Sequence, residues 1–337
     1  MRILVTGATG TVGRHVVRGL IDAGADVRAL TRDPRRAGLP ARAEAVTGDL
    51  TRPADLRDAL KGVERLYLFP EPDTAREVMA LAREAGVRRV VVLSSGAVTA
   101  GYDTSHHLPV ERAAEESGLE WTHVRPGEFA MNHVALWGPP IRTERVVRHP
   151  YPDLESRPVH ERDIADMAVT ALLADGHTGR AYAVDGPAPL TLREQVRAIA
   201  AALGEEIRFD EVTPEEARQH YLRQGGFAAE NADMLLGFTD YEGNPVDPEQ
   251  DEDPGADPGP TADQDAESGP ETGSNADTAP GTGTGTGTGT DTDTDTDTDT
   301  DTDTAGSSAP CFPAATATGR PARPFAAWAR DHVDDFR

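Results

Sequence analysis

Residues 2–24 read RILVTGATGTVGRHVVRGLIDAG, and the order of chemistry in that stretch decides the fold. Residues 2–6 are a short β-rich run, and Gly7, Gly10 and Gly13 follow at once. Val16, Val17, Leu20 and Ile21 then fall on one helical face, which Gly24 closes. Glycines there permit a tight turn, let the main chain approach a pyrophosphate and let helix and strand pack closely, while the helix start offers unpaired N–H groups to phosphates. The alternative is a plain glycine turn.

The strands that follow weigh against the plain turn. ADVRALTR (25–32), AEAVTGD (43–49), VERLYLF (63–69), VRRVVVLSS (87–95) and LEWTHVRP (119–126) read as five more strands. Helical patterns at 52–62, 73–86 and 109–118 separate the last four. Near-continuous apolar strands alternating with helices imply a parallel sheet covered on both faces, so the fold class is α/β, a doubly wound parallel sheet of Rossmann type. Beyond Pro126 the pattern loosens into a small irregular α/β substrate region, with helices at 161–175, 191–204 and 213–224 and a strand at 180–186. Thr191/Glu194 and Thr213/Glu216 mark two helix starts by capping-box spacing.

Composition changes abruptly at residue 247. From there to residue 310 there is no Lys, Arg or aromatic residue, and Pro, Gly, Thr and Asp dominate. Such a segment cannot bury enough apolar surface to offset its ordering entropy, so it reads as disordered. Its 18 carboxylates account for most of the excess charge, since without them the formal charge goes from −25 to −7. That mild acidity argues against nonspecific nucleic-acid binding. A single cysteine, Cys311, excludes an intramolecular disulfide and a thiolate metal cluster. No apolar run approaches the ~20 residues that span a bilayer. No basic, apolar leader precedes the first strand, and the expected location is the cytoplasm.

Two positions bear on the nucleotide. Asp49, in TGDL, stands where it can meet the adenine end of a dinucleotide, or cap the helix that follows. The second strand ends ALTRDPRR, with Arg32 where an acidic residue would accept the ribose 2′-hydroxyl of NAD. Arg32, helped by Arg35 or Arg36, suits the 2′-phosphate of NADP, so NADP(H) is preferred, with Asp33 keeping NAD(H) possible. A solvated basic loop is the other reading.

Together TGATGTVGRHVV (6–17), VRALTRDP (27–34), VTGDLTRPADLRDALKGVERLYL (46–68), VVLSSGAV (91–98), AAEESGLEWTHVRPGEFAMN (113–132) and RPVHERDIADMAV (157–169) resemble one family. It is the NmrA-like atypical short-chain dehydrogenase/reductases, which are NAD(P)H-binding and nucleoside-diphosphate-sugar epimerase-like. The likeness covers residues 1 to about 243, and 318–336 resemble the carboxyl end of bacterial members. It implies a main domain over 1–244, whose substrate region runs from about 126 to 244. An acidic insertion at 245–315 and a C-terminal helix at 316–337, docked on the main domain, complete the chain. Phe325, Trp328, His332, Val333 and Phe336, near helical spacing, are the docking face.

By the same resemblance, Gly7, Thr9, Gly10, Thr11, Val12 and Gly13 line the pyrophosphate and Arg32 the ribose phosphate. Asp49 and Leu50 meet the adenine, Phe69 and Pro70 the middle of the cofactor, and Ser94 and Ser95 the nicotinamide. Typical reductases of the superfamily carry Tyr-x-x-x-Lys on the next helix, but the only lysine here is Lys61 and the corresponding place reads SHHLPVER. Pro109 puts His106 and His107 in or just before the first helical turn, so either can act as proton donor, with Glu111 orienting it or supporting a cofactor hydroxyl. They can equally be polar residues at the edge of the cleft, with Glu111 a helix-start acid. A metal site would need a third converging ligand, and none is expected. Asn132 and His133 face the substrate side in the resemblance or cap a loop, Asp163 caps or supports the next helix, and Tyr102 is a minor candidate for the missing phenol.

Two functions follow as expectations. One is an oxidoreductase passing a hydride from NADPH to a small acceptor such as a quinone or enone. The other is a non-catalytic NAD(P)H sensor acting through protein partners; the acidic tract either recruits a basic partner or merely aids solubility.

Overall fold

The computed structural model describes residues 1–246 and 309–337. The strands are β1 (Arg2–Val5), β2 (Asp26–Thr31), β3 (Glu44–Thr47), β4 (Arg65–Leu68), β5 (Arg89–Leu93), β6 (Glu120–Pro126), β7 (Val146–His149), β8 (Glu155–Ser156), β9 (Arg180–Val184), β10 (Leu190–Thr191), β11 (Arg208–Glu211) and β12 (Cys311–Pro313). Eight of them form one sheet in the order β12-β9-β6-β5-β4-β1-β2-β3, and every neighbouring pair is parallel. The expected parallel sheet is therefore present. Strand order reverses between β1 and β4, and in such sheets ligands bind at the carboxyl ends of the strands beside that reversal.

The first helices are α1 (Gly13–Asp22), α2 (Leu56–Ala59), α3 (Ala75–Glu84), α4 (Gly96–Thr99) and α5 (His107–Glu116). After them come α6 (Asn132–Glu144), α7 (Glu161–Leu173), α8 (Leu192–Leu203), α9 (Pro214–Gln224), α10 (Gly226–Glu230), α11 (Ala232–Leu235), α12 (Ala314–Thr318) and α13 (Phe325–Asp331). Successive strand residues point to opposite faces, which gives the sheet two cores. Ile3 and Val5 of β1 pack with Val16, Val17 and Leu20 of α1 and with Ile164 and Ala168 of α7, whereas Leu4 packs on the other face with Leu56, Val78, Met79 and Val110 from α2, α3 and α5. A third core lies in the C-terminal lobe, where Trp137 and Ile141 of α6 meet Val196 and Ile199 of α8 and Phe325, Trp328 and Phe336 near the carboxyl end.

Several elements differ from the sequence expectation. The helix expected over 52–62 is a 3-10 turn, Pro53–Asp55, running into the single turn of α2. Helix α5 starts at His107, so Pro109 occupies its third position rather than its first. Proline costs nothing there, because the first four N–H groups of a helix have no partner inside it. Helix α6 carries Pro139 and Pro140 in its interior, which hid it from a propensity reading. Strand β12 adds an edge to the main sheet at residues that the sequence reading gives to the insertion. Pro313 ends it, and an edge strand tolerates a residue that cannot donate. Both expected capping boxes, Thr191/Glu194 and Thr213/Glu216, form. The disorder and recruiting role read from residues 247–308 lie outside the described residues. Among those described, no helix is long and apolar enough to cross a membrane.

Candidate functional site

The glycine turn joins β1 to α1 at the strand-order reversal. Gly7 has φ +58°, a left-handed value that favours glycine, and its carbonyl accepts the N–H of Gly10 at 2.9 Å. A Cβ on Gly13 would lie 2.1 Å from the Gly7 carbonyl oxygen, and both partners are main chain, so only glycine fits there. Val12 precedes α1 without a side-chain cap, leaving the helix start open to an outside acceptor. Thr11 is exposed and Thr9 half-buried, whereas the Val12 side chain is buried in the core beside α1, so residue 12 can offer a ligand only its main chain. Arg14 braces the turn, donating to the carbonyls of Thr9 (2.8 Å) and Gly10 (3.2 Å). A cradle closed to side chains and backed by uncapped N–H groups fits a pyrophosphate.

Arg32 follows β2 as an exposed side chain. Asp33 is turned back on its own loop, accepting the Arg35 N–H at 3.0 Å with the Arg36 guanidinium 3.7 Å away. Asp49 is occupied by the turn after β3, where one carboxylate oxygen accepts both the N–H (3.1 Å) and hydroxyl (2.9 Å) of Thr51. Those bonds, then Arg52 and Arg32, hold its carboxyl below the usual range. These contacts make a local Asx-type turn, and no side chain caps the 3-10 turn or α2, so the expected helix cap does not form. Leu50 is half-buried and its carbonyl accepts the Thr74 hydroxyl at 2.7 Å.

Phe69 follows β4. Thr6 connects it to the first turn, its hydroxyl donating to the Tyr67 carbonyl at 3.1 Å and accepting the Phe69 N–H at 2.7 Å. The ring packs against Gly7, where an added Cβ would meet it at 3.2 Å, and Phe69 remains 45 % exposed, while Pro70 is buried. An apolar ring left open beside the glycine turn is where a flat ligand can lie.

Ser94 and Ser95 follow β5 and do different things. Ser94 is buried and donates to Glu111 at 2.5 Å. Glu111 of α5 also receives Arg125 of β6 through both oxygens, at 2.9 and 2.6 Å. Burial works to raise the Glu111 carboxyl, but Arg125, His123 and Ser94 outweigh it and hold it low. This corrects the expectation that Glu111 orients a histidine, because its oxygens are bound to Ser94 and Arg125. Glu111, Glu115 and His123 bring one donor atom each within 4.8 Å of one another, but Arg125 already supplies the positive charge beside Glu111. Ser95 accepts the Ala97 N–H at 3.1 Å as the cap of α4, which leaves its hydroxyl proton to donate elsewhere.

The residue that organises the histidines is Asp103, which the sequence reading passed over. It is buried and accepts the N–H groups of His106 (3.0 Å) and His107 (2.9 Å), and its other oxygen holds Nδ1 of His107 in a short hydrogen bond. Burial alone would raise its carboxyl, but the bonds from His107 and His106 bring it down to about 2. A carboxylate on Nδ1 fixes the ring and leaves Nε2 to act on a ligand. His106 is exposed, packs edge-on against His107 at 4.7 Å and feels the charge of Glu71, in the segment after β4. The histidine loop and the Phe69 segment thus share one end of the sheet.

The remaining candidates fall elsewhere. His133 is buried in the lobe core, stacked on Trp137 at 4.1 Å and bonded to Gln195 at 2.5 Å, because α6 turns it inward rather than toward a ligand. Asn132 is the half-buried first residue of α6. His160, not Asp163, caps α7, and Asp163 instead receives the main chain of Arg323 at 2.7 Å. Tyr102 is exposed.

Comparison with known proteins agrees with this geometry. Residues 7–175 match a family described as NAD(P)H-binding. The chain is 44 % identical over 225 residues to the (4-alkanoyl-5-oxo-2,5-dihydrofuran-3-yl)methyl phosphate reductase of Streptomyces griseus, covering 64 % of this chain and 79 % of that one. It is 35 % identical over 239 residues to the NAD(P)H azoreductase of Xenophilus azovorans, covering 66 % and 81 %. The crystal structure of an NADPH-dependent quinone oxidoreductase from Escherichia coli superposes with a TM-score of 0.60 at 26 % identity, over 69 % of this chain and 86 % of that one. The chain belongs to that NAD(P)H-binding family, and these two relatives that it matches by sequence are reductases.

Proposed function

We propose that the protein reduces a small conjugated acceptor, a quinone or an enone, with NADPH as the hydride source. The observation that carries this reading is the meeting at one end of the sheet of the glycine cradle, the open ring of Phe69, Ser95 and the Asp103–His107 pair. When bound, the dihydronicotinamide supplies a hydride and with it both electrons. Main-chain groups of residues 7–13 hold the pyrophosphate, and Arg32 pairs with a 2′-phosphate, a role that Asp33 does not oppose while it is committed to its own turn. Ser95 donates to the acceptor oxygen, and His107, held through Nδ1, delivers the balancing proton from Nε2. Relatives whose names specify a reductase of an alkanoyl-bearing 5-oxo-2,5-dihydrofuran and a quinone oxidoreductase support a conjugated carbonyl as the acceptor class.

The test is steady-state oxidation of NADPH by the purified full chain, followed at the nicotinamide absorbance, against a panel of quinones, enones and aldehydes. Turnover is expected with quinones or enones, and His107→Ala lowers kcat about 10²-fold, as loss of a positioned proton donor does. Measurable NADPH affinity with no turnover on any acceptor would overturn the proposal and leave a coenzyme-binding regulator.

A further inference from the structure

Resting on the reductase reading above, we infer that Tyr241 belongs to the hydride-transfer site: its phenol and the Ser95 hydroxyl together receive the carbonyl oxygen of a flat conjugated acceptor, and both donate to it as it becomes anionic. Tyr241 lies far from the histidine loop in sequence and reaches it through a braced hairpin. Thr239 and Pro245 pair across that hairpin, and the Val246 N–H donates to the Phe238 carbonyl at 3.0 Å. Asp240 fills it, accepting the N–H groups of Glu242 (2.9 Å) and Asn244 (2.8 Å) and the Asn244 side chain (2.9 Å). Glu242 then pins the hairpin to the loop before α5. One carboxylate oxygen accepts the Thr104 N–H (2.7 Å), the Thr104 hydroxyl (3.0 Å) and the Ser105 N–H (3.2 Å).

That anchor sets the neighbouring phenol within interaction range of the Ser95 hydroxyl and the Asp103 carboxylate, while part of the ring stays exposed. Ser95 spends a lone pair on the Ala97 N–H and turns its hydroxyl toward the phenol, which turns its own proton toward Asp103, so an acceptor oxygen placed between them draws both donors. Burial, then the charge of Asp103, keeps the phenol protonated. It therefore acts as a fixed hydrogen-bond donor, and the proton that completes reduction comes from His107. Preorganised donors aimed at developing negative charge act mainly on the transition state. The exposed rings of Phe69 and Tyr241 give a planar acceptor apolar surface at the same end of the sheet.

The experiment compares wild type, Tyr241→Phe and Glu242→Gln as full chains, measuring NADPH affinity by fluorescence titration, melting temperature, and kcat and KM with 1,4-naphthoquinone. Tyr241→Phe is expected to lower kcat and kcat/KM together by about 10²-fold, with NADPH affinity and melting temperature unchanged. Glu242→Gln keeps the phenol but loosens its anchor, and is expected to lose about tenfold. Wild-type turnover with both variants at full rate would overturn the role of Tyr241 and leave the reductase reading standing. A rise in KM at constant kcat would reduce Tyr241 to a packing surface and also overturn it. A wild type that binds NADPH but reduces nothing would remove both.

Discussion

Arg32 shows how much one exposed side chain can decide. It follows the strand nearest the ribose position, and the one acid beside it that might receive an NAD 2′-hydroxyl, Asp33, is bound to Arg35 and faces Arg36. The guanidinium has five donors in a planar fork, and a charge-assisted pair of bonds to a phosphate contributes about 1.5–3 kcal/mol. Arg32→Ala should therefore raise the Kd for NADPH about tenfold to hundredfold and leave that for NADH within about twofold, as coenzyme titrations with each would show. An equal loss for both coenzymes would place Arg32 outside the ribose site. Asp103 matters as much for the opposite reason, since it is buried and spent on three donors from two histidines. The sequence did hold a signal for it. Aspartate side chains readily accept nearby main-chain N–H groups, and Asp103, four residues before the start of α5, does so and also reaches a side chain, which it fixes.

Among the elements, α5 ties the site to the sheet. Glu111 on its buried face meets Arg125 of β6 and Ser94, just past β5, so one ion pair ties the helix to the sheet beneath the histidine loop. Removing one charge leaves the other buried without compensation, which costs about 3–5 kcal/mol. Glu111→Gln should lower denaturant stability by that amount, whereas His107→Ala, which leaves buried Asp103 its two main-chain donors, should cost less, about 1–3 kcal/mol; reversed magnitudes would break the assignment of structural and catalytic roles. Strands such as VVVL were legible because parallel strands buried on both faces need no alternation, only apolar runs. Helix α6 was not, because its stability comes from packing Trp137 and Ile141 into the lobe core, which outweighs two interior prolines. Local pattern could not show β12 or the Tyr241 hairpin either. Each owes its place to a partner distant in sequence, Ala181–Ala183 for one and Thr104–Ser105 for the other.

At the scale of the whole molecule, the carboxyl end is held by a titratable knot. Glu161 at the start of α7 is nearly buried and binds His332 Nε2 at 3.0 Å, with the His160 ring 3.1 Å and His15 Nε2 3.7 Å away, while Trp328 stacks on His332 at 5.0 Å. Burial alone would lower the His332 pKa, but its bonds to Glu161 and Asp335 raise it above the ordinary 6.5. Burial likewise works to raise Glu161, and His160 and His332 bring it below its ordinary 4.5. A histidine raised on folding contributes its full stability below 6.5 and loses it as pH climbs through the folded value. A depressed carboxylate contributes fully above 4.5 and loses it as pH falls through its own folded value. The knot is thus tightest between those two ordinary values. Buried histidines work the other way: His149, pushed down to about 4 by burial and then His133, stabilises above 6.5 and gives that up in acid. The total profile therefore mixes both signs, and a difference between variants isolates the knot. His332→Gln should lower the melting temperature several degrees more at pH 6 than at pH 8.5, read by calorimetry against wild type at each pH; an equal drop at both would mean that packing on Trp328, and not the Glu161–His332 charge pair, anchors this end of the chain.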